Sequence, residues 1–223
     1  SGGRAYLLDA AAGERRATGV WGSLQADFAW PLAAAEPIVL DPMPDWRAIG
    51  ATVTAALLAG AMERIQRITL DYVNERIQFG KAIGRFQAIQ QQLSVLAEEA
   101  AASRMAAQMG CVGLATEAAP VLAGIAKSRT SGAAAIVASI AHAAHGAIGI
   151  TEEYDLQLHT RRLQEWRLDY GSESYWNRAI GRAYLAGPRG NVLDFMLDDV
   201  FVWEGDGARG LPDSPATPAP AGR

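Results

Sequence analysis

The sequence predicts a mainly α-helical fold, an up-and-down helical bundle preceded by a short β segment. Apolar residues recur every three or four positions over long stretches from Trp46 onward, which is typical of amphipathic helices. Alanine is abundant between residues 51 and 147, where glycine and proline are scarce, and this composition favours closely packed helices. The first 44 residues instead combine glycine and proline with short β-prone runs.

The β segment is expected to contain a hairpin. Ala5–Asp9 and Arg15–Trp21 are separated by a short turn-like stretch, so the pattern predicts that these two runs pair. An isolated hairpin is marginal in water and has to lie on a larger structure. A proline-containing linker, Asp41–Asp45, follows the segment.

The bundle is expected to occupy residues 45–187. Asp45 is a suitable N-cap for a first helix that begins at Trp46. Five helices are expected, over residues 46–78, 86–114, 120–145, 152–167 and 172–186. Gly187-Pro188 closes the last helix. Residues 188–223 are expected to hold a short apolar element, Asn191–Trp203, and then a disordered tail rich in glycine, proline and alanine.

Composition excludes several classes of function. A net charge of −4 leaves no basic surface for nucleic acid, so no nucleic-acid partner is expected. The single cysteine, Cys111, cannot form an internal disulfide. No uninterrupted apolar run approaches the roughly 20 residues of a membrane span, and no signal peptide is visible, so we expect a cytoplasmic protein. His142 and His145 lack a carboxylate partner in register, so no metal site is expected.

One motif, Arg76–Gln87, contains residue types that are suited to bind a phosphate group and an aromatic ring. An arginine at a helix end can give two parallel hydrogen bonds to phosphate oxygens. Phe79 can pack on a ring, and Gly80 permits a close backbone approach. The same residues also fit a helix C-terminus in which a cation complements the dipole and a glycine stops the helix. From the residues alone, this second interpretation is the simpler one.

Two separate motifs resemble the C-terminal domain of the acyl-CoA dehydrogenase family. Tyr72–Gln87 is similar to the signature that joins the first two helices of that domain. His145–Asp155 resembles the family's second glycine signature, and Leu158–Arg162 fits the helix that follows it. The resemblance covers about residues 46–185. It implies that residues 1–44 are a remnant of the family's middle β-domain with its linker.

The resemblance implies an FAD site between protomers of a dimer or a dimer of dimers. Arg76, Gln78 and Phe79 correspond to residues that reach the diphosphate and adenosine of an FAD held largely by a neighbouring subunit. The remaining corresponding positions are Ile83, Phe86, Ile89 and Gly146.

The sequence departs from the family pattern in both its glycine signature and its base. Ala143 and Ala147 replace the glutamine and the second glycine of the second motif. The reaction needs a carboxylate base while the flavin takes a hydride. Of the two positions at which the family places that base, one holds Tyr170, and the other, by counting back from Arg76, falls near Ala51; neither residue is an acid. No catalytic residue is therefore assigned, although Asp169 and Glu173 lie close to Tyr170 in sequence.

These residues lead to one main hypothesis and two alternatives. The main hypothesis is a subunit of a heteromeric FAD-dependent acyl-CoA dehydrogenase that lends FAD-binding residues to a catalytic sister chain. The assembly would desaturate an acyl-CoA thioester, with a bulky or sterol-derived acyl group as one option, and pass electrons to an electron-transfer flavoprotein-like acceptor. The alternatives are a self-sufficient dehydrogenase, or fragment of one, with Asp169 or Glu173 as base, active as a homo-oligomer, and a flavin-free scaffold bundle.

Overall fold

A computed structural model describes residues 5–200, apart from short gaps at 20–22, 24, 32, 34, 41–42, 115–118 and 188–189. The predicted helical bundle is confirmed. Its helices are α1 (Trp46–Glu75), α2 (Gln87–Gly113), α3 (Ala119–His145), α4 (Leu156–Trp166) and α5 (Glu173–Ala186). A short helix, α6 (Val192–Asp194), and a π-helical segment, Phe195–Val200, follow. The disorder expected for residues 204–223 lies outside the described residues.

The β segment has a different pairing from the expected one. Strand β1 (Ala5–Leu7) pairs antiparallel with β4 (Glu36–Ile38), and β2 (Glu14–Ala17) pairs antiparallel with β3 (Ala26–Ala29). The prediction that the first two runs form a hairpin is therefore wrong. The connection between β1 and β2 is a 3-10 turn, Ala10–Ala12, and the carbonyl at its N-cap accepts a hydrogen bond from the indole of Trp30, just after β3.

Helix α1 begins as expected and ends early. The Asp45 carboxylate accepts hydrogen bonds from the amides of Arg47 and Ala48, both at 3.0 Å, which confirms the N-cap. The helix ends at Glu75 because Arg76 adopts an extended conformation, and its amide donates to the Tyr72 carbonyl. The next residues form a hairpin of β5 (Ile77–Gln78) and β6 (Lys81–Ala82). The expected helix end at Gln78 is thus three residues too late.

The core of the bundle lies among α1 to α4. Its large side chains come from all four helices and include Leu58, Met62, Ile65, Leu96, Val137, Leu156 and Leu163. Alanines and glycines let α2 and α3 approach closely, since a Cβ added at Gly110 would stand 2.8 Å from that of Ala126. Burial of each large apolar side chain contributes about 1.5–3 kcal/mol, so this core holds the helix ends in a defined arrangement.

Two helical stretches, Trp46–Glu75 and Ala119–Ile150, are long and apolar enough to cross a membrane by length and composition. Polar residues interrupt both stretches, so neither is an uninterrupted apolar run. About half of each apolar window is buried inside the bundle, 56% and 44% respectively. The core helix of a soluble bundle passes the same test, so this property is weak evidence for a membrane span.

Candidate functional site

The two glycine motifs lie at the same end of the bundle. Helix α1 ends just before the first motif and α3 ends just before the second. The Tyr72 hydroxyl of α1 donates to the backbone carbonyl of His145 at 3.3 Å, and the two rings stack with their centroids 4.3 Å apart. These contacts join the ends of α1 and α3, so that both motifs border one surface.

The first motif is a tight hairpin with an exposed aromatic ring at its tip. Phe79 and Gly80 form the turn, with φ of +52° and +79°, a conformation that is strained for phenylalanine. The Phe79 side chain is 91% exposed and meets the ring of Phe86 edge-on at 6.1 Å. The amide of Ile83 donates to the Arg76 carbonyl at 2.9 Å and closes the hairpin. A strained backbone therefore holds a large apolar ring in solvent, a combination typical of a binding residue.

The polar members of the motif are available to a ligand. Arg76 and Gln78 are both exposed. Among the described residues, the Arg76 guanidinium makes no ion pair with a carboxylate. An unpaired guanidinium beside a glycine turn suits a diphosphate group.

The three apolar residues predicted to line the cofactor lie together, although one of them is covered. Ile83, Phe86 and Ile89 belong to one cluster with Val73 of α1 and Ala144 of α3. Ile83 is only 9% exposed, so within this chain it supports the hairpin. Phe86 and Ile89 are half-buried and face the same region.

Gly146 also has the geometry of a backbone contact. Its φ is +65°, and a Cβ placed on it would meet no atom within 4 Å, which leaves open space beside its backbone. Ala143 and Ala147, the two departures in this motif, are exposed. The methyl group of Ala147 therefore stands at the surface of this chain.

An aromatic cluster behind the second motif was not found from the sequence. The rings of Tyr72, His145 and Tyr154 all contact one another, and the His145 centroid is 5.1 Å from that of Tyr154. Its Nδ1 donates to the Ala141 carbonyl at 2.8 Å, because a carbonyl can only accept, while Nε2 is buried without a partner among the described residues. Burial lowers the pKa of the imidazole. The only sequence signal was a tyrosine within each motif, Tyr72 in the first and Tyr154 in the second.

Tyr170 and Ala51, which the resemblance places at or near the two base positions, carry no carboxylate. Ala51 is fully buried and packs in a cluster with Ala48, Ala123 and Trp176. The ring of Tyr170 lies directly against the neighbouring residue, Gly50, where a Cβ would overlap it. Tyr170 has a φ of +54° and is about half exposed. The tyrosine ring thus covers the backbone of Gly50, the residue directly before Ala51.

The two nearby acids are held by other groups. Glu173 accepts hydrogen bonds from Arg167, and this hydrogen bond is the main reason that its pKa is lowered. A carboxylate with a lowered pKa is a weaker base. Asp169 accepts a hydrogen bond from the side-chain amide of Gln25 at 3.1 Å. Among the described residues, no group of three or more potential metal ligands is present.

The chain is of the class of helical-bundle domains, with two glycine turns, an exposed arginine and an exposed aromatic ring at one end of the bundle. Within that class, the acyl-CoA dehydrogenase C-terminal domain matches residues 48–185 of this chain. The chain belongs to the acyl-CoA dehydrogenase family, as the resemblance of its two motifs predicted.

Known relatives agree with this assignment. Acyl-CoA dehydrogenase IpdE2 of Mycobacterium tuberculosis is 33% identical over 170 residues, which are 76% of this chain and 46% of that protein. The chain therefore spans about half the length of the curated relatives that it matches.

Two solved structures share the fold. The Tcur3481–Tcur3483 steroid ACAD matches with a TM-score of 0.72 and 23% identity, over 82% of this chain and 52% of that one. The ChsE4–ChsE5 complex from Mycobacterium tuberculosis matches with a TM-score of 0.67 and 20% identity, over 80% and 50%.

Proposed function

We propose that this chain is a subunit of an FAD-dependent acyl-CoA dehydrogenase that contributes cofactor-binding residues to a catalytic sister chain. One observation carries the proposal. The three residues suited to the diphosphate and adenosine of a flavin, Arg76, Gln78 and Phe79, are exposed, while the residues at or near the two base positions are not acids. The assembly would remove hydrogen from the α and β carbons of an acyl-CoA thioester. It would pass electrons to an electron-transfer flavoprotein-like acceptor.

The residues present fit the cofactor. Arg76 would bind the diphosphate, Phe79 would pack against a ring of the FAD, and Gly146 would bring its backbone close to it. Gln78, Phe86 and Ile89 would border the same surface, with Ile83 supporting them from inside. Bound FAD supplies the hydride acceptor of the reaction. The role of this chain is to bind and orient that group and to exclude water from it.

The lack of a base favours a partner chain over a self-sufficient enzyme. A missing general base costs on the order of 10²–10⁴ in rate. Tyr170 fills one base position with an aromatic ring, and Ala51 is enclosed by Trp176 at the other. The ChsE4–ChsE5 structure, which shares this fold, is a complex of two differently named chains. A sister chain that supplies the carboxylate is therefore the arrangement that we favour over a homo-oligomer.

A bulky acyl group, such as a sterol-derived one, is our proposal for the substrate. It rests on analogy with the steroid ACAD that has the same fold. Steady-state assays of the assembled enzyme with short linear and with steroid acyl-CoA thioesters test it. Equal turnover of both, or preference for the linear thioester, would contradict it.

The flavin spectrum of the protein tests the subunit arrangement. We expect the purified chain to be colourless and the mixture with its co-expressed sister to be yellow. Colour in the chain alone would support the self-sufficient alternative, and no colour in either would support a scaffold.

Arg76→Ala tests the assigned role of the arginine. This change should release FAD from the mixture. Arg67→Ala, on the exposed face of α1, the helix that Arg76 follows, should leave the flavin content unchanged. If the Arg76 variant has the same flavin content as the unchanged protein, the assigned role of Arg76 is wrong.

In the same assembly, Asp169→Asn and Glu173→Gln should leave turnover intact, since neither acid is expected to act as the base.

A further inference from the structure

A lysine lies in the middle of the bundle, and neither the cofactor surface nor the base positions use it. Lys127 of α3 is 0% exposed and is the largest fully buried side chain among the described residues. Burial of an amine is costly unless hydrogen bonds replace its hydration, so the contacts of Lys127 show what it does.

Lys127 holds the end of α4. Its Nζ donates to the Arg167 carbonyl and to the Ser131 hydroxyl, both at 2.8 Å. The Ser131 hydroxyl donates to the same carbonyl at 3.2 Å. Arg167 is the residue directly after α4, and the carbonyls at a helix C-terminus have no partner within the helix. Two side chains of α3 therefore fix the point at which the chain leaves α4.

The loop that starts at this point carries the tyrosine over Gly50. Tyr170 and Gly171 have φ of +54° and +106°, so the loop conformation needs support from its surroundings. The indole of Trp176 in α5 donates to the Tyr170 carbonyl at 3.1 Å. The loop is thus held by α3 through Lys127, by α5 through Trp176 and by α1 through Gly50.

The amine can serve in either protonation state. Its two hydrogen-bond acceptors are both neutral, and an uncharged amine still has two N–H donors. Burial is the main cause that lowers the pKa of Lys127 to about 8, while Asp169 and Glu173 raise it and Arg167 lowers it. Since both bonds survive loss of the proton, Lys127 acts as a permanent support and not as a pH switch.

We propose that Lys127 is a positioning residue that holds residues 167–171 in the conformation in which Tyr170 covers Gly50. This inference goes beyond the proposed function, because it concerns the closed base position and not the flavin surface. Failure of either one leaves the other intact.

Hydrogen exchange of the full chain, measured by mass spectrometry, tests the proposal. Lys127→Met removes the donors and keeps the length of the side chain. We expect exchange in peptides that cover residues 167–173 to become about tenfold faster, the effect of losing one ordinary hydrogen bond. Peptides from the first half of α2 should exchange as before. The matched control is Lys81→Met, which alters the only other lysine, an exposed one, and should change nothing in this loop.

A second variant covers the case in which Lys127→Met does not fold. Ser131→Ala removes one acceptor of the amine and one donor to the Arg167 carbonyl, with little loss of core volume. It should accelerate exchange in the same loop by a smaller factor. The proposal is overturned if, in either variant, hydrogen exchange in residues 167–173 is unchanged or exchange increases equally in every helix.

Discussion

The ring of Tyr170 lies against the backbone of Gly50, and a side chain of any size at Gly50 would overlap it. Gly50 directly precedes Ala51, so this contact brings Tyr170 to the part of α1 near which the resemblance places the second base position. Neither Tyr170 nor Ala51 is an acid, and this observation underlies our proposal of a catalytic partner chain.

The first prediction concerns this contact. Gly50→Ala should lower the free energy of unfolding by about 1–3 kcal/mol, because the added methyl forces the Tyr170 ring to move. Urea denaturation measures the change. The control is Gly60→Ala in the same helix, where an added Cβ meets nothing within 4 Å. There the higher helix propensity of alanine should raise stability by about 0.5–1 kcal/mol. If the two variants change the free energy of unfolding equally, the contact between Gly50 and the Tyr170 ring is contradicted.

Sequence patterns predicted the parts of the fold that depend on local physics. Asp45 has the side chain of an N-cap, and the apolar spacing gave α1 to α5 in the right order with ends that differ by a few residues. The end of α1 was missed because the hairpin over residues 77–82 competes with the last turn, and helix propensity does not report that competition. The strand pairing was missed because the partners of β1 and β2 are β4 and β3, two strands that the residue pattern did not predict.

Contacts between distant segments were beyond the reach of sequence patterns. The two glycine motifs were recognised, but their meeting through Tyr72 and His145 depends on the lengths and directions of two helices. Lys127 left a clear local signal, a lysine within an alanine-rich apolar helix. Its partner could not be identified, since the Arg167 carbonyl is a backbone group of another helix. The contact of Tyr170 with Gly50 has no sequence signature for the same reason.

The second prediction concerns the titration of Lys127. Its pKa should be about 8 in the folded protein, against an ordinary value of 10.5. NMR of protein labelled with ¹³C-lysine gives a direct measurement, because the chain has two lysines and Lys81→Met assigns them. A folded-state pKa near 10.5 for Lys127 would show that its amine is not buried as described.

The same shift predicts a dependence of stability on pH. Below pH 8 the lysine is charged in both states, and the folded state bears the full cost of burying the charge. Between pH 8 and 10.5 the folded state loses the proton first, so unfolding takes up a proton and stability rises with pH. The free energy of unfolding, relative to that of Lys127→Met, should therefore increase by up to about 3 kcal/mol across this window. Urea denaturation at several pH values measures the difference, and a constant difference would contradict the prediction.

The third prediction concerns Glu173 and Arg167. The hydrogen bond from Arg167 holds the pKa of Glu173 below its ordinary value of 4.5. A depressed carboxyl pKa stabilises the folded state above about pH 4.5, and that contribution is lost as the pH falls through the folded-state value. Glu173→Gln should therefore cost about 0.2–1 kcal/mol at pH 7, the range for a partly exposed ion pair, and less at pH 3. Glu98→Gln, at an exposed position of α2, is the control and should show a smaller effect at pH 7.

The last prediction separates stability from binding at the tip of the first motif. Phe79 has a φ of +52° and 91% of its side chain is exposed, so it adds strain and little packing to the folded chain. Phe79→Gly should relieve the strain and raise the free energy of unfolding by roughly 1 kcal/mol, since glycine adopts positive φ freely. The same change should lower the flavin content of the assembled enzyme, because the ring that we assign to the cofactor is gone.

Phe79→Asn keeps a residue that tolerates positive φ while it also removes the ring, so it should lose flavin to a similar extent with a smaller gain in stability. A stability curve by urea denaturation and a flavin absorbance measurement on each variant decide the matter. If both variants keep their flavin, the exposed ring has no role in cofactor binding.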